Sequence, residues 1–205
     1  MPSVRPPSDF ATARLQLDTV DAGERFGRIY LAKYPDPLGY GKSESRFSDP
    51  RRRVEANRFA VLYLGQTLTV CFLEAVLRDQ RDGVVGDLAI EESELTARRY
   101  AEIEVTVPLS LVDLHESGAV AMGVPSDVHR GARHMLGRAW SVALHEHPQR
   151  PDGIIYPSRL NGEINLAIYG WAVAKLRPAR LRRLIDVGEL APLLTELRIA
   201  LTVPD

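Results

Sequence analysis

Cysteine occurs once in this chain, at Cys71, so no intrachain disulfide can staple the fold. Long apolar runs are missing as well, and nothing approaches the ~20 residues of a membrane-spanning helix. Neither sign of charge dominates: 26 Lys and Arg against 27 Asp and Glu leave a net charge of −1. That balance gives no general attraction to nucleic acid or an anionic membrane, so anion binding must come from local arginine placement. Met1 to Pro7 carries three prolines and one arginine but not the apolar core of a signal peptide, and a cytoplasmic location is expected. The common enzyme signatures are absent too. There is no G-x-x-x-x-G-K-[ST] phosphate loop, no G-x-G-x-x-G between a strand and a helix, no H-E-x-x-H and no G-x-S-x-G. His145-Glu146-His147 before Pro148 has the wrong spacing for two ligands on one helical face, and His115, His129 and His134 are scattered, so no metal site is expected. Cys71 lies in an apolar stretch and reads as a small buried hydrophobe.

What is present is ordinary globular composition, 45% hydrophobic and 26% charged over 205 residues, enough for one core and one domain. Residues 1–24 read as a polar N-terminal extension, with a short helix around Ala11 to Leu17, and residues 25–205 as a single domain. A strand is expected over Phe26 to Leu31. Tyr34 to Pro50, dense in Pro, Gly, Ser and Asp, should be a long loop that is functional or mobile. Arg51 to Arg58 continues it, its four arginines forming a solvated run. Phe59 to Leu64 reads as a buried strand and Glu91 to Arg99 as a helix. Ile103, Val105 and Val107 alternate with polar residues like a half-buried strand, and Leu111 to Leu114 reads as another. Ser126 can cap a helix running to about Leu144. Gly153 to Tyr156 and Ile164 to Tyr169 look like strands around the PSRLNGE loop, where Asn161-Gly162 is a tight-turn pair. Leu181 to Val187 reads as a strand with a short helix after it. Strands and helices mix without regular βαβ alternation, so the fold class is α/β in the broad sense (mixed α+β), a central mixed sheet flanked by helices.

One stretch stands out. Leu68 to Leu77, LTVCFLEAVL, places Leu68, Cys71, Phe72, Ala75 and Val76 on one helical stripe behind Thr67 as a cap. Val70, Leu73 and Leu77 make much of the other side apolar, so Glu74 is its one ionisable carboxylate, expected to be shielded from water. Holding such a charge in apolar surroundings costs several kcal/mol, as an order of magnitude, unless something compensates it. An arginine, a set of donors, or a ligand carrying positive charge could do so.

Polar residues at strand ends join Glu74: Arg28, Arg46 in SRF, Tyr63 in LYL and Ser158 in YPSR. This set resembles the RES-domain family, named for arginine, glutamate and serine. Three blocks carry the likeness: Arg28 to Pro50, Val61 to Asp79 and Gly153 to Tyr169. The resemblance implies an ADP-ribosyltransferase-like fold and the toxin of a bacterial toxin–antitoxin pair. Such toxins consume NAD, some as phosphorylases giving nicotinamide and ADP-ribose 1″-phosphate, others by ADP-ribosylating a protein. It also implies a cognate antitoxin with an Xre-like helix-turn-helix part, assembled with the toxin as an oligomer. NAD and inorganic phosphate would be substrates, with no prosthetic group and no direct nucleic-acid or membrane partner.

Carried onto this chain, the family's site gives each residue a role. Arg28 would hold the nucleotide's phosphates or ribose and Arg46 would be a second anion clamp, one of them binding incoming phosphate in a phosphorylase. Tyr63 would stack on nicotinamide or order the ribose. Glu74 would stabilise the positive charge that develops on the ribose as the glycosidic bond breaks. Ser158 would hydrogen-bond the ribose or phosphate, and Asn165 would add an amide contact. Glu74, Arg28 and Ser158 are thus the expected catalytic set, with Arg46, Tyr63 and Asn165 binding substrate. Two departures from the family's G-G-R-[FW]-N-P loop matter. Glu44-Ser45-Arg46-Phe47-Ser48-Asp49-Pro50 lacks both glycines and adds a carboxylate, and RRRVEANR is inserted before Phe59. The altered loop also keeps open a nucleotide-binding or interaction protein without turnover.

Overall fold

In a computed structural model, residues 5–51, 54 and 57–203 are described. The chain runs through β1 (Leu17–Val20), β2 (Arg25–Leu31), β3 (Val61–Gly65), α1 (Leu68–Phe72) and a π turn (Leu73–Leu77). Next come β4 (Leu88–Glu91), α2 (Glu92–Thr96), β5 (Arg98–Val105), β6 (Leu109–Asp113), α3 (Gly118–Ala121), α4 (Asp127–Arg130) and α5 (Met135–His145). β7 (Gly153–Pro157), β8 (Ile164–Tyr169), β9 (Leu176–Arg183), α6 (Leu190–Glu196) and β10 (Ile199–Thr202) complete it. Eight strands form one sheet in the order β1-β6-β7-β8-β3-β2-β5-β9, and β10 pairs with β4 in a small parallel ladder. β6 and β7 are parallel, the other neighbours antiparallel, so the sheet is mixed as expected.

Side-chain alternation divides the core cleanly. Leu62 and Leu64 of β3, Leu166 and Ile168 of β8, and Ala101 and Ile103 of β5 all face one continuous apolar cluster. The opposite face is split. Over β6, β7 and β8, Tyr156 and Tyr169 pack with Phe47, Trp140 and Leu144. Over β2 and β5, Ile29 and Tyr100 pack with Phe72, Leu95 and Leu193. A seam therefore runs between two helical layers on the same side of the sheet.

At that seam the sheet itself opens. β2 and β3 pair only at Gly27↔Gly65, whereas β2 pairs with β5 along its whole length. The glycines are there because α1 lies so close. A Cβ on Gly65 would stand 2.7 Å from Val70 and 2.8 Å from the Cys71 sulfur, and one on Gly27 2.9 Å from that same sulfur.

Several expectations need correction. The polar extension contributes an edge strand: within residues 5–24, β1 pairs with β6, and Phe10, Leu15 and Val20 are buried. The helix over Glu91 to Arg99 is one short turn, α2, because Arg98 onward pairs with β2. The single helix from Ser126 to Leu144 is two, α4 and α5, parted where Gly131 turns extended (ψ 139) and exposes its carbonyl. The last strand lies earlier than Leu181 to Val187, as β9, and Leu184–Asp186 is a 3-10 turn. Arg52 and Arg53 of the expected arginine run lie outside the described residues, while Arg51 pairs with Asp49 and Glu146. Among the described residues no helix is long and apolar enough to cross a membrane.

Candidate active site

The seam holds a cavity of ≈ 460 Å³. Its floor is a transverse row over four strands, Tyr156 of β7 opposite Asn165 of β8, Asn165 opposite Gly65 of β3, and Gly65 opposite Gly27 of β2. Two positions in that row have no side chain, which lets α1 close down on them, and Gly27, Gly65 and Cys71 line the cavity together. Arg28, Arg46, Tyr63, Glu74 and Asn165 all line it. Five of the six residues singled out from sequence thus meet, and the sixth, Ser158, stands directly behind Glu74.

Glu74 departs from its expected setting. Cys71, Phe72, Leu73, Val76 and Leu77 are buried, but Glu74 is exposed, because it projects over the opening rather than into the core. Thr67 caps α1 as expected, accepting from the Val70 amide at 3.2 Å, a contact worth about 1 kcal/mol. The helix then widens into the π turn, with the Arg78 amide donating to the Leu73 carbonyl at 2.7 Å, and Glu74 sits in that wider turn. Such turns recur at functional positions. Solvent, not a low-dielectric shell, meets the charge.

Donors nevertheless fix its orientation. The Ser158 hydroxyl donates to Glu74 Oε1 at 2.7 Å and the Asn165 amide to the same oxygen at 3.3 Å. Oε2 accepts no hydrogen bond among the described residues and is left to the cavity. Ser158, only 4% exposed, is itself held: its amide donates to the Glu163 carbonyl at 2.7 Å and its hydroxyl accepts from the Leu160 amide at 3.1 Å. The Asn161-Gly162 pair makes the expected turn, with Gly162 at φ 79°.

The arginines are short of acceptors. Among the described residues neither Arg28 nor Arg46 forms an ion pair. Arg28 donates Nη1 to the Pro37 carbonyl and lies 5.7 Å from the Tyr30 ring centre. Arg46, 9% exposed, donates Nη1 to the Gly131 carbonyl at 2.7 Å. Burial pushes both guanidinium groups below their ordinary value, opposed by Asp36 at Arg28 and by Tyr156 and Glu74 at Arg46. Both stay cationic, since arginine starts above 12. Guanidinium groups that form no ion pair among the described residues suit an anionic ligand.

The Arg46 loop is anchored at several points. Phe47 is fully buried, and its carbonyl accepts from the Ser141 hydroxyl at 2.5 Å. Tyr63 pins the loop as well. Its phenol oxygen accepts from the Phe47 amide at 3.0 Å and shares a 2.9 Å hydrogen bond with the Ser45 hydroxyl. Burial pushes the Tyr63 phenol up to about 12, so it remains neutral. Glu44, the extra carboxylate, is engaged by Arg138 at 2.7 Å.

Other lining residues escaped the sequence reading. His134 lies in the break between α4 and α5, which a continuous helix hid, and Gly131 inside that pattern was the available sign. Arg159 of the serine turn pairs with Asp79, also at the cavity. Tyr156 gave no signal beyond its strand. Cys71 borders the cavity, but burial pushes its thiol up to about 12, leaving no thiolate nucleophile.

Comparison with known proteins matches this geometry to a family. The family model described as the RES domain matches residues 25–188. The chain is 40% identical over 121 residues to the "Probable toxin y4kH" of Sinorhizobium fredii (strain NBRC 101917 / NGR234), covering 58% of this chain and 95% of that protein. Its fold is similar to a chain in the crystal structure of the M. tuberculosis MbcT–MbcA toxin–antitoxin complex. There the TM-score is 0.59 at 22% identity, over 88% of this chain and 91% of the other.

Proposed function

The chain belongs to the RES domain family, and from that premise we propose that it is the toxin of a toxin–antitoxin pair, an enzyme that cleaves the nicotinamide–ribose bond of NAD with inorganic phosphate as acceptor. The observation that carries the reading is Glu74. One carboxylate oxygen is clamped by Ser158 and Asn165, while the other is free at a cavity lined by two arginines without counter-ions.

Arg28 and Arg46 hold the diphosphate, and Tyr63 holds Arg46 in place through the loop amide. As the C1–N bond breaks, its electron pair leaves with nicotinamide, which becomes neutral, and positive charge spreads over the ribose C1 and ring oxygen. Glu74 Oε2 meets that charge. A phosphate oxygen then bonds to C1, giving ADP-ribose 1″-phosphate. Ser158 is a positioning residue, acting through Glu74. No metal or prosthetic group enters the scheme. An antitoxin partner with an Xre-like helix-turn-helix part, and a cytoplasmic location where NAD is available, complete the proposal. The toxin named among the relatives and the similar fold in a toxin–antitoxin complex support it.

Purified protein incubated with NAD should release nicotinamide in proportion to added phosphate, with a phosphorylated ADP-ribose as co-product. Release independent of phosphate would refute phosphorolysis. The exposure of Glu74 favours a second reading, in which an open site admits a protein side chain and the reaction is ADP-ribosylation. In that case label from adenine-tagged NAD would become acid-stable on protein.

A further inference from the structure

Tyr156 has no part in the scheme above, yet its setting is that of a ligand contact. Its ring is 6% exposed and is held by Phe47 edge-on, with centroids 5.0 Å apart at 74°. It lines the cavity, and its hydroxyl has no hydrogen-bond partner among the described residues. The Tyr30 and Tyr169 hydroxyls, by contrast, are sealed in the interior, and that of Tyr156 is not. Burial holds the Tyr156 phenol well above its ordinary value, so the group is neutral and keeps its proton to donate.

Arg46 lies within electrostatic range of that hydroxyl. Only Nη1 of its guanidinium is engaged, by Gly131, and its other N–H groups have no acceptor among the described residues. Glu74, the nearby carboxylate, already has one oxygen held by Ser158 and Asn165. A phenol donor and a guanidinium fork sharing one wall, both short of acceptors, complement an anionic oxygen better than a sugar hydroxyl.

We propose that Tyr156 is a substrate-contacting residue whose hydroxyl donates, alongside Arg46, to a phosphoryl oxygen of the bound dinucleotide. This assignment rests on the NAD reading, and deepens it by placing the diphosphate against the β7 wall.

Tyr156→Phe keeps the ring and its contact with Phe47 while removing the donor. Calorimetric titration of wild type and variant with NAD, and separately with inorganic pyrophosphate, reads the contact without needing turnover. Both ligands should bind the variant about tenfold more weakly or worse, the usual scale for losing a hydrogen bond to a charged group. The melting temperature should stay within about 2 °C, and Tyr169→Phe, at a tyrosine whose sealed hydroxyl is not part of the cavity lining, should bind like wild type. Unchanged affinity, weakening for NAD alone, or weakening only with a matching drop in melting temperature would each overturn the assignment. Wild type that binds NAD without cleaving it would sink the reaction scheme and leave Tyr156 to the titration. No saturable binding of either ligand by wild type would end both.

Discussion

Ser158 and Tyr63 act through other groups, and each makes a separable prediction. Ser158→Ala removes the stronger of the two donors on Glu74 Oε1, so kcat for NAD cleavage should fall about tenfold while KM stays near wild type. Tyr63→Phe leaves the Phe47 amide and the Ser45 hydroxyl without their partner. Unfolding in urea should show a loss of about 1–2 kcal/mol, and KM for NAD should rise because Arg46 loses its anchor. A stacking role alone would leave stability untouched. Residue identities were legible because three separated blocks carry a family pattern, and Arg28, Arg46, Tyr63, Glu74 and Asn165 do converge on one cavity. The environment of Glu74 was not legible. Apolar neighbours at helical spacing imply burial only if the facing sheet is closed, and here β2 and β3 part beyond a single pair.

α1 and its π turn depend on the strands beneath them. Gly65→Ala would place a methyl group against Val70 and Cys71 at distances no side chain tolerates. The helix must lift, at about 1–3 kcal/mol in a urea titration, and kcat should fall with it because Glu74 rides on that element. β2, β3, β7 and β8 were readable from sequence within a residue or two, because each is a short apolar run with turn-rich segments beside it. β1, β4 and β10 were not, because each is short and its pairing is set by a partner distant in sequence: β6 for β1, and β4 with β10 for each other. The α4–α5 break was missed for a related reason. Gly131 alone was a weak sign, since its extended conformation turns its carbonyl to Arg46 from a segment distant in sequence.

Acid stability integrates groups spread through the fold. Burial depresses His129 and His145 from 6.5 to about 4. The unfolded chain therefore takes up protons first as pH falls. Stability from these histidines is complete above pH 6.5 and drains away between 6.5 and about 4. Asp49 adds to the trend lower down: burial would raise its carboxyl, but hydrogen bonds from Arg51 outweigh this and hold it below 3.8, so its contribution fails only under more acid conditions. Melting temperature should fall steadily from pH 7 to 4. His145→Phe, which keeps the stack on Phe59 at 3.9 Å and removes a buried unpartnered nitrogen, should flatten that fall. The same fold that shields those histidines leaves Glu74 open to the cavity, and the account stands on what that carboxylate does. Nicotinamide release from NAD by wild type and Glu74→Gln, at saturating phosphate and with NAD affinity measured in parallel, addresses it most directly. The variant should bind NAD comparably and turn over at least about a hundredfold more slowly. Equal turnover by the two proteins would contradict the mechanism.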